Sequence, residues 1–196
     1  LPWAMALPDF KNDPALILPI LEGLKLDDSE YVRRSVANNI NDVAKDNPIL
    51  VKAIAEQWLG NHKDTDWIVK HGCRTLLKQG DADVLRLFGF VPGHKVQLAN
   101  FEIKQDIVEI GGHLHFSFSL SSERTQLGRL RIEYAIDYMK SNGSGSRKIF
   151  KISEGQIKSK DKNIQRKQSF KEMSTRKHYP GEHTLAIIIN GLEIDR

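Results

Sequence analysis

Apolar positions along this chain change period at about residue 90. Before it they recur every three to four residues. After Asp13, the residues Leu16, Ile17, Ile20, Leu21 and Leu24 keep helical spacing; after Asn47, so do Leu50, Val51, Ile54, Ala55, Trp58 and Leu59. Asp13-Pro14 and Asn47-Pro48 each place a capping side chain ahead of a proline at the first helical position. Asp28 or Ser29 is expected to cap a further helix over about 30–45, with Val32, Val36, Ile40 and Val43 as its apolar stripe. Thr65 or Asp66 is expected to cap another over about 67–79, with Ile68, Cys73, Leu76 and Leu77 turned inward and Gly80 as the stop.

Helix, link, helix thus occurs twice, and Val32-Arg33 returns as Val69-Lys70 after 37 residues. Repetition at that period is the mark of an α-solenoid of HEAT-like hairpins. From about Val96 the period is two. Leu114, Phe116, Phe118 and Leu120 alternate with polar residues, as do Ile132, Tyr134, Ile136 and Tyr138. Further strands are expected at 96–104, 107–110, 147–152, 164–171 and 184–190, with turns at Gly111-Gly112, Asn142-Gly143 and Pro180-Gly181. About seven short strands predict an antiparallel sandwich. The expected fold is therefore a two-domain α + β chain. HEAT-like α-solenoid hairpins fill residues 1–91 and an Ig-like β-sandwich fills 95–196, joined through Val91-Pro92-Gly93-His94.

Charge changes this picture more through its distribution than its total. The net charge of +4 is modest, yet residues 141–180 alone hold 11 basic and 3 acidic side chains. Such a stretch suits a polyanion, or is simply well solvated. The longest apolar run, Leu185-Ala186-Ile187-Ile188-Ile189, is far shorter than the roughly 20 residues of a membrane span, so no membrane partner is expected. A single cysteine, Cys73, rules out an internal disulfide and fits a reducing, cytoplasmic setting. The chain opens on Leu1-Pro2-Trp3 with no methionine or signal pattern, as expected of an internal stretch of a longer polypeptide.

Candidate chemistry gathers on the two second helices. Arg34, Asn38, Asn41 and Lys45 share one face of the first, with Arg33 and Asp42 beside them. Lys70, Arg74 and Lys78 run at four-residue steps on the other, flanked by Trp67 and His71. Laid side by side, these stripes would meet phosphate oxygens; the same pattern also fits ordinary solvated helix faces. Asn38, Asn39 and Asn41 are costly in mid-helix because their amides compete with the backbone. They serve either a ligand or the neighbouring repeat. His113 and His115 share a strand face without a third ligand at suggestive spacing, so no metal site is expected. There is no Walker loop, Gly-x-Gly-x-x-Gly, Gly-x-Ser-x-Gly or Cys-x-x-Cys.

Leu1-Pro2-Trp3-Ala4, the run Tyr31-Val32-Arg33-Arg34-Ser35-Val36-Ala37-Asn38-Asn39-Ile40-Asn41-Asp42, Trp67-Ile68-Val69-Lys70-His71 and Leu87-Phe88-Gly89-Phe90 resemble the HEAT-like-repeat DNA alkylation-repair glycosylases. The likeness is closer to the AlkC type, which carries a C-terminal Ig-like domain, than to the AlkD type, and the chain resembles the C-terminal part of such an enzyme. The resemblance implies excision of cationic N3-alkylated bases from double-stranded DNA by N-glycosidic hydrolysis. It implies a bacterial cytosolic monomer with no cofactor, processing its lesion without full extrusion of the base. It implies Asp42 and Trp3 as catalytic groups. Arg33, Arg34, Asn38, Trp67, Lys70, His71 and Arg74 would contact DNA, joined by Arg147, Lys148, Lys158, Lys160, Lys162, Arg166 and Lys167 of the sandwich. AlkD-type members use an Asp and two Trp, and the position matching one of those tryptophans is Arg74 here. The alternative is a non-enzymatic HEAT and Ig-like module that binds DNA or a protein.

Overall fold

The computed structural model describes residues 7–92, 95–174 and 177–195, and the chain divides into two compact units, Leu1–Phe88 and Gly89–Arg196. The first is helical: α1 (Pro8–Asn12), a 3-10 turn (Pro14–Ile17), α2 (Leu18–Leu24), α3 (Glu30–Asp46), α4 (Pro48–Trp58), α5 (Lys63–Gly72), α6 (Arg74–Gln79) and α7 (Ala82–Leu87). Asp13 caps the 3-10 turn, its carboxylate accepting from the Ala15 amide at 3.0 Å. Asn47 stands at the N-cap of α4 ahead of Pro48, but its side chain instead donates to the Lys11 carbonyl at 2.7 Å. Val36, Ile40 and Val43 of α3 are buried, as are Val51, Ile54 and Trp58 of α4 and Ile68 and Val69 of α5. These faces make the helical core.

The expected helix over 67–79 is two helices. His62, not Thr65 or Asp66, caps α5, accepting from the Asp64 amide at 3.2 Å. Thr65 is buried instead, and its hydroxyl donates to the carbonyls of Trp58 and His62. The helix breaks at Cys73 (φ −82°, ψ 6°). α6 then runs to Gly80, whose left-handed φ of 75° lets the Asp81 amide reach back to the Leu76 carbonyl at 3.0 Å. The Asp81 carboxylate next caps α7 by accepting from Asp83 and Val84.

The second unit is a two-sheet sandwich of β1 (Gln97–Ile103), β2 (His113–Ser121), β3 (Gly128–Met139), β4 (Gly145–Ile157), β5 (Asp161–Ser169), β6 (Thr184–Ile189) and β7 (Leu192–Asp195). One sheet is ordered β1-β2-β5 and the other β4-β3-β6-β7, all neighbours antiparallel. Phe116, Phe118 and Leu120 of β2 face Leu130, Ile132, Tyr134 and Ile136 of β3 across a common core. The segment 107–110 is not a strand. Ile107 and Ile110 are exposed, and a turn closes over it as Gly112 N–H donates to the Glu109 carbonyl at 2.8 Å. The stretch leading into the sandwich is tied down from within this unit. Phe90 is fully buried under the Arg129 guanidinium, and the Asn190 side chain donates to the Val91 carbonyl at 3.0 Å. Among the described residues, no helix is long and apolar enough to cross a membrane.

Candidate nucleic-acid interface

α3 and α5 lie side by side because Gly72 lets them close. A Cβ at that position would come within 2.6 Å of the Ile40 side chain. Contacts between the two advance in the same direction along both. Arg33 Nε is 3.8 Å from the Asp64 carboxylate, and Asn38 meets His71. Asn41 then meets Thr75 just past the Cys73 break. The helices therefore run parallel, as second helices of successive hairpins do in a solenoid.

Not every expected stripe residue reaches the exposed face. Asn41 is buried, its Oδ1 accepting from the Thr75 amide at 3.2 Å and from the Thr75 hydroxyl at 2.8 Å. It serves the neighbouring repeat. Arg33 donates to the carbonyls of Asp27 at 2.6 Å and Asp28 at 2.9 Å, which ties the start of α3 to the loop before it. The Lys70-Arg74-Lys78 stripe is split by the Cys73 break: Lys70 Nζ sits 5.2 Å from the centre of the Phe88 ring, and Lys78 lies on the separate helix α6.

What remains is a compact cluster. Arg34, Asn38 and Asp42 stand one turn apart on the exposed face of α3. Arg34 pairs with Glu30 at 2.7 Å and Asp42 with Lys45 at 2.7 Å. Across the groove, the Trp67 indole and the His71 imidazole of α5 stack with centroids 5.1 Å apart and planes 7° from parallel. Asn38 Oδ1 accepts from His71 Nε2 at 3.3 Å and from Arg74 Nη2 at 3.1 Å, while Arg74 Nη1 donates to the His71 carbonyl at 2.7 Å. Partial burial, then the charges of Arg74 and Arg34, hold the His71 pKa below the ordinary histidine value. Burial also lowers Arg74, against the pull of the Asp42 carboxylate. The face thus combines an aromatic stack that keeps 41% of the Trp67 surface open, two guanidiniums and a solvated carboxylate. Sequence reasoning picked out these residue types but missed the shared oxygen of Asn38. The cost of asparagine in mid-helix was its one visible signal. Trp3, the other aromatic expected here, lies outside the described residues.

The sandwich residues do not share one surface. Residues directly opposite in a ladder point to the same face. Lys148 is opposite Ile136, Lys162 opposite Leu120 and Arg166 opposite Phe116, so these three stand on the core-side rows of β4 and β5, the edge strands of the two sheets. Lys160 lies in the connection between those strands. Arg166 also donates to the Ile152 carbonyl at 2.7 Å, tying β5 to β4. Lys167, opposite His115, is on the outer face. Arg147 is bound by Asp137 and Glu193. Among the described residues, no group of three or more His, Cys, Asp or Glu side chains is placed to hold a metal ion.

Paired helical hairpins with parallel second helices, followed by a seven-stranded Ig-like sandwich, define a two-domain α + β protein of the AlkC/YhaZ type. Residues 97–196 match the family described as "Uncharacterised protein YhaZ, C-terminal Ig-like domain", and the chain belongs to that family. It is 50% identical over 192 residues to "Uncharacterized protein YhaZ" of Bacillus subtilis (strain 168), a match covering 97% of this chain and 53% of that protein. Among solved structures, "Pseudomonas fluorescens alkylpurine DNA glycosylase AlkC bound to DNA containing an abasic site analog" superposes with a TM-score of 0.92 at 37% identity. That match covers 99% of this chain and 54% of the other, so the chain spans about half the length of each relative.

Proposed function

We propose that this protein acts in DNA repair as a glycosylase that hydrolyses the N-glycosidic bond of cationic N3-alkylated bases in double-stranded DNA. The observation that carries this reading is the likeness, over nearly the whole chain, to an alkylpurine DNA glycosylase solved on DNA. Alkylation makes the base a positively charged leaving group. The C1′–N bond breaks, its electron pair neutralises the base, and the base departs without needing a general acid. Positive charge builds on the sugar as an oxocarbenium ion. A water molecule then adds its oxygen to C1′ and releases a proton to a carboxylate or to solvent. In this reading Asp42 supplies the negative charge that stabilises the oxocarbenium ion and orients the water. Trp67 offers its open face to the cationic nucleotide. Arg34 and Arg74 meet the flanking phosphates, and the basic edge strands of the sandwich add backbone contacts. No cofactor enters the scheme, and the protein works as a cytoplasmic monomer.

The test is release of 3-methyladenine and 3-methylcytosine from methylated duplex DNA by the full-length protein. Asp42→Asn is expected to slow release by about 100-fold or more, the scale of removing one transition-state stabiliser. Its affinity for DNA bearing an abasic-site analogue should hold within a few-fold. Binding without release by the unaltered protein would make this a non-enzymatic DNA-binding module. Equal rates for the two would remove Asp42 from the chemistry.

A further inference from the structure

Asn38 is exposed, so its side chain fills no space in the core. Its carbonyl oxygen nevertheless collects two donors from the next hairpin, 33 and 36 residues away in sequence. The amide has only one orientation that works. A guanidinium can only donate, so the atom facing Arg74 must be the oxygen rather than the NH2. That oxygen cannot donate to His71, so Nε2 is the protonated ring nitrogen and Nδ1 the acceptor of the neutral imidazole. One amide thus settles the tautomer of His71, the plane of the ring stacked on Trp67, and the position of one arm of Arg74.

We propose that Asn38 is the positioning residue of this face: by receiving both His71 and Arg74 it sets the Trp67–His71 stack and the Arg74 guanidinium as one rigid unit beside Asp42. The proposal rests on the reading of this face as the DNA-binding one. Three further observations agree with it. The stack is nearly parallel, so the same ring that offers Nε2 to Asn38 lays its face on the indole. Partial burial, then the cations Arg74 of α6 and Arg34 of α3, disfavour the charged form of His71, and Asn38 and Trp67 beside it are neutral, so the ring leaves the indole electron-rich toward a cation. And Arg74 Nη1 also holds the His71 carbonyl, so moving the guanidinium would disturb the end of α5 itself. Asn41, one turn further along α3, makes the same kind of bond in a buried setting and provides an internal control for a merely structural role.

The experiment compares Asn38→Ala and Asn38→Asp in the full-length protein. Three quantities are read: the His71 tautomer and titration by long-range proton–nitrogen NMR, acrylamide quenching of Trp67, and affinity for duplex DNA carrying an abasic-site analogue. Asn38→Ala should give a mixed His71 tautomer, easier quenching of Trp67 and about tenfold weaker DNA binding, because ordering the stack and the guanidinium must then be paid on binding. Asn38→Asp keeps the acceptor, so the Nε2–H tautomer and the quenching should return to those of the unaltered protein. Its carboxylate should also raise the His71 titration point. An unchanged tautomer, quenching and affinity in Asn38→Ala would overturn the proposal. So would losses that Asn38→Asp fails to restore. None of the three readouts needs base release. A protein that releases no base yet shows these shifts keeps the positioning role and loses only the glycosylase reading.

Discussion

Asn38 and Asn41 stand three positions apart on α3, and burial separates their roles. The Asn41 oxygen accepts from both the amide and the hydroxyl of Thr75, in a setting that leaves the asparagine only 4% exposed. Asn41→Ala removes that acceptor from two half-buried donors, which costs about 1 kcal/mol. Urea unfolding should show the loss as a lower midpoint with an unchanged slope. Cys73, at the helix break, is a second residue whose setting decides its chemistry. Full burial, with a further push from Asp81, raises its thiol to about 12. The thiolate is the reactive form, so iodoacetamide at pH 8 should leave Cys73 unmodified in the native protein and label it once urea unfolds the chain. The sign of the linkage follows from the same shift. The native state holds this proton when the unfolded thiol has lost it, so Cys73 costs stability as pH rises above about 9.

At the scale of elements, the groove depends on how closely α3 and α5 approach, and Gly72 sets that distance. Ile40 is β-branched, stiff and fully buried, so it has little room to yield to a new methyl group. Gly72→Ala should therefore cost about 1–3 kcal/mol by overpacking, seen as a lower thermal midpoint. It should also weaken DNA binding, because it moves His71 away from Asn38. Much of the element pattern was legible beforehand, since helical period, proline placement and strand alternation act locally. Two misses have plain physical causes. The break at Cys73 did carry a local signal in Gly72, a poor helix former, but the apolar period running on through Cys73, Leu76 and Leu77 masked it. The final hairpin carried one as well. Asn190-Gly191, with φ of 47° and 79°, is the two-residue turn that joins β6 to β7, yet a run ending at 190 hid it. The site was legible in residue types and illegible in its pairings. Asn38 meets partners more than thirty residues away, and only the packing of two helices brings them together.

At the scale of the molecule, the helical region carries slightly more acid than base, and the excess of positive charge lies in 141–180. The structure divides that excess between two faces of the sandwich, which makes its role separable by experiment. Lys148, Lys160 and Lys162 belong to the β4–β5 edge and its connecting turn, whereas Lys167 stands on the outer face. Each phosphate contact releases bound counterions, so it adds about 0.9 to the steepness with which binding falls on a log–log plot against salt. If the β4–β5 edge lies along the duplex backbone, changing Lys148, Lys160 and Lys162 together to glutamate should flatten that slope by about two to three units. Lys167→Glu changes the net charge by the same step per residue and should leave the slope nearly unaltered. Arg166 is unsuited to this comparison, because its bond to the Ile152 carbonyl holds the edge together and its loss would confuse folding with binding. Equal effects per substitution on the two faces would mean that the sandwich acts through its overall charge. A slope left intact by the triple change would place the phosphate contacts elsewhere, with Arg34 and Arg74 of the helical face as the first residues to test.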